Sequence, residues 1–438
     1  MKVTSLLKTS DGRNYLLPFI LVTFCFALWG FANDITNPMV KAFSKIFRMS
    51  VTDGALVQVA FYGGYFAMAL PAALFIRRFS YKSGLLMGLG LYAIGALCFI
   101  PAKASGSYYP FLLAYFILTC GLSFLETSAN PYILSMGDSQ NATRRLNLAQ
   151  AFNPIGSLLG MYVAMHFIQS RMSPLSTSER ALLGDAEFEL LKQSDLSVLV
   201  APYAILGFVI ALIFMAILFV KMPKWDVVPS DDNRLSATFK RLFVNRRYRE
   251  GVIAQFFYVG VQIMCWTFII QYGTSVFMAE GLSEQSAEIL SQKYNIVAMC
   301  MFCISRFIST YILKYVNPSK LLSIFAIIAI ALLLCVIFIG GRPGLYALVA
   351  VSACMSLMFP TIYGIALEGV GEDAKIGAAG LIMAILGGSV LPPLQAKIID
   401  AGSILNLPAV NISFLIPLVC LVVIAVYGIR TLDTYLIS

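Results

Sequence analysis

The sequence predicts an all-α integral membrane protein with twelve transmembrane helices in two six-helix halves. Three observations carry that expectation. Hydrophobic residues make up 59% of the 438 residues and charged residues 12%, with a mean hydropathy of +0.82. A soluble chain carries roughly 25% charge, and at half that a chain of this length could not cover a surface facing water. Apolar segments run through the whole sequence, and at ~20 residues per crossing plus short connections there is room for about a dozen. Finally, stretches such as 321–340 are continuously apolar, whereas a transmembrane β-barrel alternates over strands of ~10 residues.

The expected spans are 15–42, 52–77, 83–103, 108–136, 145–170, 198–221, 248–279, 285–314, 319–340, 343–369, 375–399 and 411–430. The first follows Lys2, Lys8 and Arg13 and has no small-residue cleavage site, so it reads as a membrane span and not as a removed signal peptide. Two connections are long. Residues 171–197 are polar and lean acidic, with Glu179, Asp185, Glu187, Glu189 and Asp195; residues 222–247 are basic, with Lys224, Arg234, Lys240, Arg241, Arg246 and Arg247. The basic stretch divides the chain into an N-terminal bundle, 1–221, a linker, 222–247, and a C-terminal bundle, 248–438. With the N-terminus inside, the inner connections hold about twice as many Lys and Arg as the outer ones, which places both termini in the cytoplasm. The net charge of +9 is therefore a topology signal first and an attraction to lipid headgroups second. It does not point to nucleic acid.

The halves repeat. Glu126 to Pro131, a charged loop, and then Asn153-Pro154-Ile155-Gly156-Ser157 in the first half correspond to Leu357 to Tyr363, a charged loop, and Gly387-Gly388-Ser389 in the second. The loop Arg77 to Gly84 recurs weakly as Lys314 to Lys320. Two six-helix halves in parallel repeat are the signature of the major facilitator fold, whose substrate site lies near mid-membrane between the halves.

Intramembrane polar groups are the candidate site. Asp34 and Glu126 are the acidic residues deep inside expected spans. A carboxylate at the bilayer centre costs roughly 3 kcal/mol on insertion scales. It is tolerated when it faces a polar cavity, is paired, or is protonated, and desolvation favours the neutral acid. The pair therefore reads as proton-coupling groups, with permanently protonated structural carboxyls as the plainer alternative. Asn33, Asp34 and Asn37 share helix 1, ahead of Pro38. Glu126 and Asn130 share a face of helix 4, ahead of Pro131. Asn147, Gln150 and Asn153 repeat every three residues on helix 5, and Gln255, Tyr258, Gln262 and Trp266 line helix 7. Amides that both donate and accept, beside flat rings, suit a sugar's hydroxyls and its C–H face. Interhelical amide bonds of ~0.6–2 kcal/mol are the bland reading. Arg306 lies inside a span and could pair with a carboxylate, hold a carbonyl network, or snorkel to the inner face. Arg306, Pro38, Pro131 and, on helix 10, Pro360 are the structural or gating candidates.

Other chemistries find no support. The nine cysteines fall in apolar stretches. Cys300 and Cys303 have metal-like spacing without a second pair, and His166 is the only histidine, so neither zinc nor a catalytic triad is expected. There is no phosphate-binding G-x-x-x-x-G-K-[ST] loop. The chain is expected to be no enzyme and to need no cofactor, with a proton gradient as its energy source. Its expected partners are a small sugar, H+ and the bilayer, and the expected state is a monomer.

Several strings resemble the fucose/galactose/glucose permease family of major facilitators, over nearly the whole chain: Leu28 to Asn33, Ala60 to Phe66, Phe79 to Lys82, Leu125 to Pro131, Arg145 to Asn153, and Ala254 to Gln262 with Cys265-Trp266. The resemblance implies that Glu126 stands where the family keeps a glutamate essential to proton-coupled sugar binding, and that Gln150 and Asn153 line the sugar cavity. The chain departs from the family pattern at Asn37, where an aspartate is usual; Asp34 lies one turn earlier on the same face. It also has Phe359 where tyrosine is expected in the fucose carriers. The expected function is proton-coupled uptake of a monosaccharide, L-fucose first, across a bacterial inner membrane by alternating access. A glucose or galactose symporter of the same family and an efflux pump of the same fold are the alternatives. A sugar sensor would need an output domain that neither the short termini nor the linker provides.

Overall fold

The computed structural model describes residues 15–36, 39–49, 56–173, 175, 177–220, 222, 235–399, 403–404 and 407–437. Twelve helices among them are long and apolar enough to cross a membrane: spans 1 to 12 are Leu16–Thr36, Val59–Arg78, Tyr81–Ser105, Tyr109–Ser135, Ala142–Ile168, Asp185–Phe219, Arg246–Ala279, Ile289–Ile312, Pro318–Phe338, Gly341–Leu367, Gly371–Ile399 and Ala409–Leu432. The chain is a multi-pass membrane protein of helices because lipid offers no partner to a free N–H or C=O, and a helix satisfies both internally.

The structure differs from the sequence expectation at two places. Span 1 ends at Thr36, and a separate helix runs Met39–Ile46; Asn37 and Pro38 lie outside the described residues. The segment 171–197 is not a plain loop, because the helix of span 6 begins at Asp185. Its first turns are polar and so escape a search for apolar runs. Asp185 and Glu187 sit in the first turn, where the helix dipole favours them. This protruding end is anchored by a buried ion pair, Arg180 to Asp195 at 2.6 Å, with side chains 0% and 2% exposed. The linker contains a short helix, Leu235–Val244.

The described residues group into two packed units. One comprises the described residues of 15–133 and 152–222. Here Gly156 of span 5 lies directly on the carbonyl of Ala27 in span 1, so close that a Cβ has no room. Phe99 stacks on Tyr203 at 4.1 Å, and the hydroxyls of Tyr115 and Tyr203 meet at 2.7 Å. Ser80 caps span 3, its hydroxyl accepting from the Ser83 N–H. Lys82 donates to the carbonyls of Leu218 and Val220 at 2.9 and 2.8 Å, closing the end of span 6.

The other unit comprises 134–151 and the described residues of 235–437. The same devices recur in it six spans later. Gly387 of span 11 lies on the carbonyl of Phe256 in span 7, and Asn317 caps span 9 by accepting from the Ser319 and Lys320 N–H groups. The repeat visible in the sequence is thus a repeat of packing and capping. Span 5 is interrupted at Ala151–Phe152, between helices Ala142–Gln150 and Asn153–Val163, and span 10 at Ser356–Leu357, between Gly341–Met355 and Met358–Leu367.

Candidate functional site

Span 4 buries almost its entire middle. Glu126 is 1% exposed, and neither carboxyl oxygen has a hydrogen-bond partner among the described residues. Its neighbours are spent elsewhere: Thr127 donates to the Ser123 carbonyl at 2.7 Å and Ser128 to the Phe124 carbonyl at 2.6 Å. Asn130 donates to the backbone carbonyl of Glu126 at 3.0 Å. Pro131 lies inside the helix without ending it. Span 2 brings Tyr65 into electrostatic reach of Glu126 and Tyr62 into reach of Asp34. Asp34 itself is buried and Asn33 half-buried. Asn153, half-buried, donates to the Phe26 carbonyl at 3.2 Å. Within this unit the chain therefore brings each of two carboxyls, Asp34 and Glu126, near a phenol of span 2.

The other unit holds a second set. Asn147 is fully buried and donates to the Thr361 hydroxyl at 3.2 Å and to the Thr143 carbonyl at 3.0 Å. Gln150, 1% exposed, is the last residue of its helix. Arg306 donates through Nη1 to the Gln150 carbonyl at 3.0 Å and through Nε to the Ser356 carbonyl, and its guanidinium stands 4.6 Å from the Phe302 ring centroid. Of the three arrangements open to Arg306, the carbonyl network is the one present: at 3% exposure the head does not reach a membrane face. Both carbonyls belong to helix ends exposed by the interruptions of spans 5 and 10, the negative poles of two half-helices. Pro360 sits in the first turn of Met358–Leu367, where a missing N–H costs no helical bond.

Span 7 carries Gln255, Tyr258, Gln262 and Trp266. Gln262 is half-buried and makes no hydrogen bond to the described residues. Trp266 is half-buried, its Nε1–H donating to the Ser352 hydroxyl at 3.2 Å while its ring meets Phe302 edge-on at 4.9 Å. Tyr258 donates to the Met355 carbonyl at 3.1 Å and packs edge-on to Phe359. Gln255 is fully buried with both amide atoms unpartnered among the described residues. Tyr62, Tyr65, Ser352 and Thr361 were not foreseen as site residues. The three-residue spacing of Tyr62 and Tyr65 was a readable signal; Ser352 and Thr361 left none, since hydroxyls in spans are common.

Known proteins share this architecture and sequence. The chain is 51% identical over 95% of its length to an L-fucose-proton symporter of Haemophilus influenzae, covering 97% of that protein. It is 31% identical to a glucose/galactose transporter of Brucella abortus, with 96% of each chain covered. It superposes on the crystal structure of the transporter FucP in the outward conformation with a TM-score of 0.86 at 32% identity, covering 96% of this chain and 99% of that one. The family model of the Major Facilitator Superfamily matches residues 22–393, and with spans, repeat and relatives in agreement, the chain belongs to that superfamily.

Proposed function

We propose that the chain carries L-fucose inward together with a proton, as a secondary active transporter of a bacterial inner membrane with both termini cytoplasmic. It works as a monomer by alternating access, without a cofactor, and draws on the proton gradient. The observation that supports this reading is Glu126, a carboxyl enclosed in protein with neither oxygen hydrogen-bonded among the described residues. An ionised carboxylate so placed would be a buried, uncompensated charge. The conformation is therefore tenable with the neutral acid. Proton uptake makes closure around the sugar affordable, and release of the proton on the far side favours reopening. Asp34, beside Tyr62, is the second carboxyl on the proton's route.

The proposed sugar site is a set of amides beside an indole ring. Gln262 presents an amide unengaged among the described residues, and Trp266 presents a ring whose orientation is fixed by Ser352, as stacking against a sugar's C–H face requires. Gln150, Asn153, Asn33, Asn37 and Asn130 complete the proposed set, with Asn147 and Gln255 close in sequence and type. The name of the Haemophilus influenzae relative favours L-fucose over glucose or galactose, since its identity to this chain is the higher.

The test uses proteoliposomes and labelled L-fucose, galactose and glucose under an imposed pH or sodium gradient. The reading requires L-fucose accumulation driven by the pH gradient. E126Q should abolish that accumulation while sugar counterflow continues. Retained sugar binding with lost counterflow would make Glu126 structural, and accumulation driven by sodium alone would overturn proton coupling.

A further inference from the structure

The linker helix Leu235–Val244 follows span 6 and precedes span 7, so it lies at a membrane face. One side of it is fastened to its own unit. Leu242 and Thr238 are buried, Leu242 beside Gly377 of span 11, and Arg241 grips Asp373 with two bonds of 2.7 and 2.8 Å. The other side is apolar and uncovered: Phe239 is 46% exposed and Phe243 and Val244 69% each. Phe239 and Phe243 are four apart and share a face.

Cations rim those rings. Arg249 donates to the Phe243 carbonyl at 3.2 Å, and its guanidinium lies 5.7 Å from the Phe243 centroid. Neither Arg249 nor Lys240 has a carboxylate partner among the described residues. Glu250 is shared by Arg246 and Arg430, and Arg247 faces Glu368. Asp373, Glu250 and Glu368 thus stand against twice as many cations, and Glu372 and Lys375 next to them offset one another. A short helix with exposed rings and surplus positive charge, fixed at a membrane face, has the make-up of an interfacial element.

We propose that this helix binds an anionic phospholipid of the leaflet on which it lies, with Phe239 and Phe243 entering the acyl-chain boundary and Lys240 and Arg249 holding the phosphate. Charge complementarity and place choose the occupant. A free phosphate would gain nothing from the rings, whereas lipid already surrounds the site and satisfies both halves of it.

The full-length protein in nanodiscs of phosphatidylcholine with phosphatidylglycerol tests this by native mass spectrometry. The wild type should retain phosphatidylglycerol in preference, and K240Q/R249Q should lower the ratio of retained phosphatidylglycerol to phosphatidylcholine about fivefold per cation removed. An unchanged ratio overturns the proposal. In a second arm, F243W is read in lipids brominated along the acyl chain. Its fluorescence should be quenched beyond that of the parent protein, which carries Trp29, Trp225 and Trp266, and more strongly when phosphatidylglycerol is the brominated lipid. An introduced indole that lipid fails to quench overturns the proposal and leaves the face to a protein partner. This arm decides the matter should K240Q/R249Q fail to fold.

Discussion

Arg306 and the backbone carbonyl of Gln150 are joined at 3.0 Å, a side chain of span 8 closing the end of a half-helix in span 5. The same guanidinium serves the Ser356 carbonyl at the break of span 10. One buried cation thus offsets two helix ends that lipid could not hydrate. Arg306→Gln should cost about 2–4 kcal/mol, because charged hydrogen bonds are lost and buried acceptors are stranded. Arg306→Lys should recover only part of it, since an ammonium lacks the planar fork that reaches two acceptors at once. Thermal unfolding in detergent measures both, and equal stability of the two variants would contradict the forked role.

Gln262 offers the proposed sugar site an amide that is unengaged among the described residues. If it bonds the sugar, Gln262→Ala removes one buried hydrogen bond, about 1–3 kcal/mol, which is roughly a 5- to 150-fold weaker Kd. Trp266→Phe should be milder than Trp266→Ala, as it keeps a stacking ring and loses only the bond to Ser352. Equilibrium binding of labelled L-fucose to purified protein reads both effects, with thermal stability as the control for folding.

The buried pair Arg180–Asp195 predicts a large penalty at a place remote from transport. Asp195 also accepts from the Ser173 N–H at 2.9 Å. Asp195→Ala leaves a buried guanidinium uncompensated and should cost about 3–5 kcal/mol, whereas a double replacement by apolar residues should regain much of that. The exposed pair Arg342–Glu280 is the contrast. Its hydrogen bond to Arg342 holds the Glu280 carboxyl below the usual carboxylate range, so any contribution is present at neutral pH and fades on acidification. Glu280→Gln should leave the melting temperature almost unchanged at pH 7, because water screens the pair.

Gly156 and Gly387 should tolerate no side chain. A Cβ at either would collide with a backbone carbonyl, Ala27 or Phe256, which no rotamer change relieves. Gly156→Ala and Gly387→Ala should each reduce the yield of folded protein on size-exclusion chromatography, while Gly63→Ala, with open space around it, should not.

The sequence by itself determined the twelve crossings, the helical solution, the packing repeat and the two acidic residues worth attention. Lipid makes those legible: it demands long apolar runs, forbids unpaired backbone, and makes a carboxyl such as Glu126 conspicuous by its cost. It could not show the early start of span 6, because 185–197 is stabilised by its own contacts and not by apolar composition. Tertiary structure alone decided that Arg306 binds carbonyls, that Asn147 meets Thr361, and that Trp266 is held by Ser352. Those partners lie 156, 214 and 86 residues apart along the chain, and nothing local encodes a contact made across such distances. Helix breaks at Ala151–Phe152 and Ser356–Leu357 were hidden for the same reason: their exposed carbonyls are paid for by a donor from another span.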